Sequence, residues 1–222
     1  MSVDGSSSVS SSMPVERSAS GEAVEIRSGS MLLSAIWRRP ANPRGAVVFA
    51  HCPACGDEAP LAEALSSCGY ASLLPELLLP AEANDPSRCH DEEFISQRLR
   101  MAVATVVARS DASDLPIVAL GRGCAGDAAL VAAGVESRVA AVVAIDPPLL
   151  LPKPFLERVA VPALVVAGPG DLGTPRGRSA IEALRRQGGI ELLELPAGDA
   201  RSASLPARIA AWLDRALMPT VA

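Results

Sequence analysis

Five cysteines and two histidines account for most of the chemistry this sequence could perform. Cys52 and Cys55 stand in His51-Cys-Pro-Ala-Cys-Gly56, directly behind an apolar run. Cys89 is followed at once by His90, and Cys124 lies in Gly121-Arg-Gly-Cys-Ala-Gly126. A thiolate is a nucleophile, a redox partner and a soft-metal ligand, and an imidazole serves as base or ligand. Cys52, Cys55 and His90 could therefore hold a zinc-like ion, although the spacing C-x2-C…C-H…C matches no standard zinc finger. The competing role is that small apolar thiols simply fill space, and Cys68, on a helix before Gly69, reads that way.

Elements that could position these residues follow from the hydropathy pattern. Short apolar runs, most of them continuous, occur at Ala46–Ala50, Ala71–Leu74, Pro116–Leu120, Ala141–Ile145, Ala163–Ala167 and Ile190–Leu195. Such runs suit strands buried on both faces of a parallel sheet. Between them, Ala59–Ser67, Glu92–Arg109, Ala125–Ala133, Ser179–Gln187 and Pro206–Leu217 repeat apolar residues at helical spacing. Val24–Arg27 and Met31–Trp37, joined through Ser-Gly-Ser, read as a hairpin. The expectation is an α/β fold, a mostly parallel sheet covered by helices after an N-terminal hairpin. Residues 1–22, rich in serine and without hydrophobic period, read as a disordered tail, and residues 23–222 as one domain.

Composition narrows the function. Hydrophobic residues make up 49% of the 222 and aromatics only 3%, so the core is built from Ala, Val, Leu and Ile. A net charge of −5 without a basic cluster argues against nucleic acid as a partner. No apolar run reaches the ~20 residues that span a bilayer, and no signal pattern opens the chain, so a cytoplasmic protein without a membrane partner is expected. In that compartment five cysteines argue against a disulfide framework.

In an open α/β sheet, ligands sit at the carboxyl ends of the strands, where His51–Gly56, Gly121–Gly126 and Gly168–Asp171 all fall. The stretch from Arg44 to Asp199 resembles the α/β-hydrolase superfamily, nearest to its small, lidless dienelactone-hydrolase type. The pieces are Gly45-Ala-Val-Val-Phe-Ala-His51, Leu61–Leu65 with Gly69–Leu74, Ile117–Ala133, and Val161–Asp171. The family places its nucleophile on a sharp strand-to-helix elbow, Gly-x-Ser-x-Gly or its cysteine version. Here the alignment puts Gly123 at the nucleophile, while a slip of one residue would put Cys124 there and crowd the turn with Arg122. The resemblance makes Asp171 the counterpart of the acid, a position equally suited to a turn aspartate. It makes His51 the structural histidine beside the oxyanion loop.

The base has no counterpart. The resemblance places it near Ala200, yet His51 and His90 both precede the elbow, so the order nucleophile, acid, histidine is impossible. Three readings follow. The first is an α/β-hydrolase-fold protein with an eroded triad, in a non-catalytic binding or assembly role toward a small molecule or protein, with no cofactor. The second is a cysteine-dependent hydrolase of a small ester or lactone, with Cys124 as nucleophile, His90 or His51 as base and Asp171 as acid. The third is a dithiol redox or metal-binding protein using Cys52 and Cys55, whose Cys-Pro-x-Cys resembles a thioredoxin-type active site.

Overall fold

The computed structural model describes residues 21–52, 55–168, 172–186, 189–195 and 203–218. The strands are β1 (Glu22–Ser28), β2 (Met31–Arg38), β3 (Ala46–Ala50), β4 (Ala71–Pro75), β5 (Ile117–Arg122), β6 (Val139–Ile145), β7 (Ala163–Ala167) and β8 (Ile190–Glu194). The helices are α1 (Ala59–Ser67), α2 (Pro80–Ala83), α3 (Pro86–Cys89), α4 (Glu92–Val107), α5 (Cys124–Val135), α6 (Lys153–Leu156), α7 (Pro175–Arg185) and α8 (Leu205–Ala216). All eight strands form one sheet in the order β1-β2-β4-β3-β5-β6-β7-β8. The β1–β2 and β2–β4 pairs are antiparallel, and every other pair is parallel.

Burial explains why the central strands lack alternation. Every residue of β3 and β7 is buried, because helices cover both faces. At the edge, β2 alternates instead: Leu33, Ala35 and Trp37 point into the core while Leu32 and Ser34 face solvent. One face of the sheet is covered by α4, α5 and α7, the other by α1 and α8. Helix α5 runs through the middle of the first layer, and its first ten residues are all buried. Its alanines and Gly126 allow that: a Cβ at position 126 would meet the Gly121 carbonyl at 3.2 Å and Pro147 Cβ at 3.3 Å.

Two element starts and two short helices differ from the sequence expectation. Strand β1 starts at Glu22, which pairs with Trp37, since an edge ladder needs backbone partners rather than apolar side chains. Residues 1–20 of the expected tail lie outside the described residues. Helix α7 begins at Pro175, because Thr174 accepts the Gly177 N–H at 2.9 Å and proline suits the first helical position. The short helices α2 and α3 each open with proline but lack the length for an apolar period. Among the described residues, no helix is long and apolar enough to cross a membrane.

Candidate functional site

Strand β5 ends in a turn that inverts the chain into α5 within one residue. That residue is Gly123, with φ 58° and ψ −134°, a conformation that side-chain-bearing residues reach only with strain. Its N–H donates to the Ile145 carbonyl at 2.8 Å, and its own carbonyl accepts from Gly126 N–H at 2.8 Å. Gly121 must lack a Cβ, which would strike the Ala125 carbonyl. Gly123 is therefore the elbow residue and Cys124 is the first residue of the helix. A Cβ on Gly123 would stand 3.2 Å from Cys55 Sγ. The space beside the elbow is thus taken by a thiol from another loop.

Strand adjacency brings the thiols together. Ala50 pairs with Gly121, so the residues two positions beyond each, Cys52 and Gly123, leave the carboxyl edge side by side. The Cys55 N–H donates to the Cys52 carbonyl at 2.9 Å, closing a turn that folds the second thiol back toward α5. The sulfurs of Cys52, Cys55 and Cys124 all lie within 4.8 Å of one another. Cys55 Sγ and Cys124 Sγ are 3.1 Å apart. Cys124 Sγ lies 2.8 Å from the Cys89 carbonyl oxygen, and Cys52 Sγ lies 3.9 Å from the same atom. Cys52 and Cys124 are buried and Cys55 is partly exposed.

Their surroundings make the two close thiols unequal. Hydrogen bonding with Cys124 and Cys52, and the backbone N–H groups of Ala125 and Cys124 at the start of α5, favour ionisation of Cys55. Together these hold its thiol well below the ordinary value despite burial. For Cys124, the bond with Cys52 favours ionisation, but the bond with Cys55 and burial outweigh it and push the thiol up. The Cys89 carbonyl, turning its lone pairs on Cys124 Sγ, has the same effect. These surroundings favour the thiolate at Cys55 and the thiol at Cys124.

Charged groups surround this cluster. Glu58, at the N-cap of α1, pairs with Arg122 at 2.6 Å, the carboxylate 3% and the guanidinium 12% exposed. The pair ties the Cys55 loop to the residue before the elbow. Burial holds His51 below its ordinary pKa against the opposing charges of Glu58, Asp57, Glu76 and Cys55, so its imidazole is neutral near pH 7. Its Nδ1 is buried without a hydrogen-bond partner. His51 also lines a cavity of 710 Å³, together with Arg38, Asp57, Leu74 and Glu76. Asp127, in the first turn of α5, is fully buried, and burial pushes its carboxyl up to about 6.

The structure gathers some of the expected residues and separates others. Cys52, Cys55 and Cys124 meet; His90 is exposed at the end of α3 and takes no part in the group. Cys89 joins through its backbone carbonyl rather than its thiol. Cys68 packs on the opposite face of the sheet. Asp171 and Ala200, the acid and base positions, lie outside the described residues. Sequence reasoning missed Glu58 and Arg122, whose one available signal was a charged residue beside each functional loop.

Comparison with known proteins agrees with this architecture. No family model matches the chain. Proteins from two strains of Mycobacterium tuberculosis, provisionally named phosphoribosyl transferases, are each 31% identical over 155 residues. That match covers 68% of this chain and 35% of each relative, so the chain spans about a third of their length. Among solved structures, a dienelactone hydrolase from Anabaena variabilis superposes with a TM-score of 0.74 and 25% identity, over 89% of this chain and 96% of its own. A dienelactone hydrolase-like promiscuous phosphotriesterase from metagenomic libraries gives 0.70 and 18%, over 88% and 98%. Est1E from Butyrivibrio proteoclasticus, with ferulic acid bound, gives 0.68 and 14%, over 89% and 100%. The sheet order, the glycine elbow between β5 and α5 and these superpositions together give the chain the α/β-hydrolase fold in its small, dienelactone-hydrolase-like form.

Proposed function

We propose that this protein is a thiol–disulfide redox protein on an α/β-hydrolase scaffold, with Cys55 as attacking thiolate and Cys124 as its partner. The observation that supports this reading is the Cys55–Cys124 contact at 3.1 Å, made in the space beside a glycine elbow. In an esterase of this fold, the N–H of the residue after the nucleophile binds the acyl oxyanion. Here that N–H belongs to Cys124, whose sulfur lies 3.1 Å from Cys55 Sγ. On this reading the Cys55 thiolate takes the place an acyl oxyanion would need.

The chemistry balances with a small disulfide as oxidant. Cys55 thiolate attacks one sulfur of the disulfide, forming a mixed disulfide and expelling a thiolate. Cys124 gives its proton to that leaving thiolate or to solvent and attacks Cys55 Sγ. A second thiolate leaves, and Cys55–Cys124 is the oxidised product. Closing the bond needs an approach of about 1 Å from the present separation to the 2.05 Å of a disulfide.

Eroded hydrolytic function, the first of the sequence readings, belongs to the same picture. Cys124 as a hydrolytic nucleophile fits less well, because it is buried and its sulfur faces a carbonyl oxygen. The transferase name of the mycobacterial relatives is not carried to this chain, which spans about a third of their length.

Alkylation of the reduced protein by iodoacetamide, followed by peptide mass spectrometry, tests the reading. Cys55 should label with a profile already flat below pH 7, while Cys124 stays unlabelled. Oxidised glutathione should then yield a Cys55–Cys124 disulfide. The opposite labelling order, or a p-nitrophenyl ester burst abolished in Cys124→Ala, would overturn the reading in favour of a cysteine hydrolase.

A further inference from the structure

We infer that Cys52, Cys55 and Cys124 form a binding site for a soft divalent cation of the zinc class, with Cys52 as the ligand that the redox pair does not use. Three thiol sulfurs within 4.8 Å of one another are a ligand set rather than a pair. A zinc ion holds thiolates at about 2.3 Å, which places tetrahedral sulfurs about 3.8 Å apart. The sulfurs are already grouped on that scale. The Cys55–Cys124 contact of 3.1 Å would have to open by about 0.7 Å. Cys55 sits on a partly exposed loop and can supply that movement.

The backbone around the three sulfurs is arranged as metal sites require. Cys52 and Cys55 have the C-x2-C spacing common in structural zinc sites, and the Cys55 N–H to Cys52 carbonyl bond at 2.9 Å closes that turn. Gly56 follows with φ 114°, a conformation that lets the chain leave the turn at once and that a side chain would oppose. The third ligand, Cys124, comes from the first turn of α5.

Charge favours the same arrangement. Three thiolates around a divalent ion leave one net negative charge at the N-terminal end of α5, where the helix dipole stabilises it. The first turn of α5, which begins at Cys124, offers backbone N–H groups beside the three sulfurs, as outer-shell donors do around ligating sulfur. The Cys89 carbonyl oxygen, 2.8 Å from Cys124 Sγ and 3.9 Å from Cys52 Sγ, offers a hard atom beside the group. It or a water molecule would complete four-coordination. Because the metal and the disulfide need the same two sulfurs, the states exclude one another. Oxidation of Cys55–Cys124 would release the ion.

The site does not depend on the redox reading, and the two are tested apart. Cobalt(II) is titrated into the full chain, reduced and stripped with chelator, and then displaced by zinc(II). One equivalent should bind, with the intense sulfur-to-cobalt charge-transfer bands and the visible bands of tetrahedral cobalt. Cys52→Ser, Cys55→Ser and Cys124→Ser should each weaken binding by at least about tenfold, and Cys68→Ser should leave it unchanged. Far-UV circular dichroism checks that each variant folds. Zinc should also raise the Tm of the parent protein and of Cys68→Ser, but not of Cys124→Ser. Octahedral cobalt without thiolate bands, or undiminished binding by folded Cys52→Ser, would overturn the inference. Disulfide formation by oxidised glutathione should persist in Cys52→Ser, so failure of the metal site leaves the redox reading intact, and the reverse holds.

Discussion

Replacing Gly123 by serine returns to the elbow the hydroxyl that the fold ordinarily carries there, and the structure predicts that it restores nothing. At φ 58° and ψ −134° a side chain strains the backbone by about 1–3 kcal/mol. The new Cβ would also stand 3.2 Å from Cys55 Sγ, closer than carbon and sulfur sit at rest, so the thiol must retreat by a few tenths of an ångström. That retreat disturbs the 3.1 Å contact between Cys55 Sγ and Cys124 Sγ. Guanidinium unfolding of the reduced protein should therefore show a loss of about 1–3 kcal/mol, shared by Gly123→Ala, which has the strain without the hydroxyl. Neither variant should turn over p-nitrophenyl acetate. No histidine follows the elbow in the sequence, His51 is neutral with its Nδ1 enclosed, and Cys55 Sγ lies against Cys124. Undiminished stability in both variants would refute the assignment of strain to position 123. Ester turnover by Gly123→Ser with Cys55 intact would refute the claim that the sulfur occupies the oxyanion donor.

Other perturbations test the surroundings of the site. Burial pushes the Asp127 carboxyl from 3.8 to about 6, so between those pH values the native state holds a proton that the unfolded chain has released. This contribution is complete below pH 3.8 and lost as pH rises through 6, where the buried carboxylate costs about 3 kcal/mol. Asp127→Asn should therefore gain on the parent by about that amount between pH 4 and pH 7 in paired urea unfolding, and parallel curves would contradict it. Glu58→Leu should cost about 1–3 kcal/mol by removing the buried carboxylate from its 2.6 Å pair with Arg122, while Glu58→Leu combined with Arg122→Met should cost less than the two single losses together. Additive losses in that double-mutant cycle would show that the pair is not coupled.

Much of the fold was legible because burial on both faces leaves a local trace. Ala46–Ala50 and Ala163–Ala167 are apolar at every position for that reason, and they became β3 and β7. The order of the histidines was equally legible, since both stand before the elbow along the chain. Gly121-Arg-Gly-Cys likewise marked the elbow, although which residue turned the corner awaited the positive φ of Gly123.

What only the tertiary structure decided is which groups touch. Cys55 and Cys124 are 69 residues apart in sequence, and their 3.1 Å contact follows from the pairing of β3 with β5 in the register Ala50 to Gly121. The Cys89 carbonyl, 2.8 Å from Cys124 Sγ, is a backbone atom, which no residue type announces. Cys68 looks like its fellow cysteines in composition, yet the direction of α1 sets it on the opposite face of the sheet. Residue type fixes what chemistry a group can do. The register of strands distant in sequence fixes which groups share it, because a sulfur's ionisation depends on donors and acceptors within a few ångströms rather than on its neighbours along the chain.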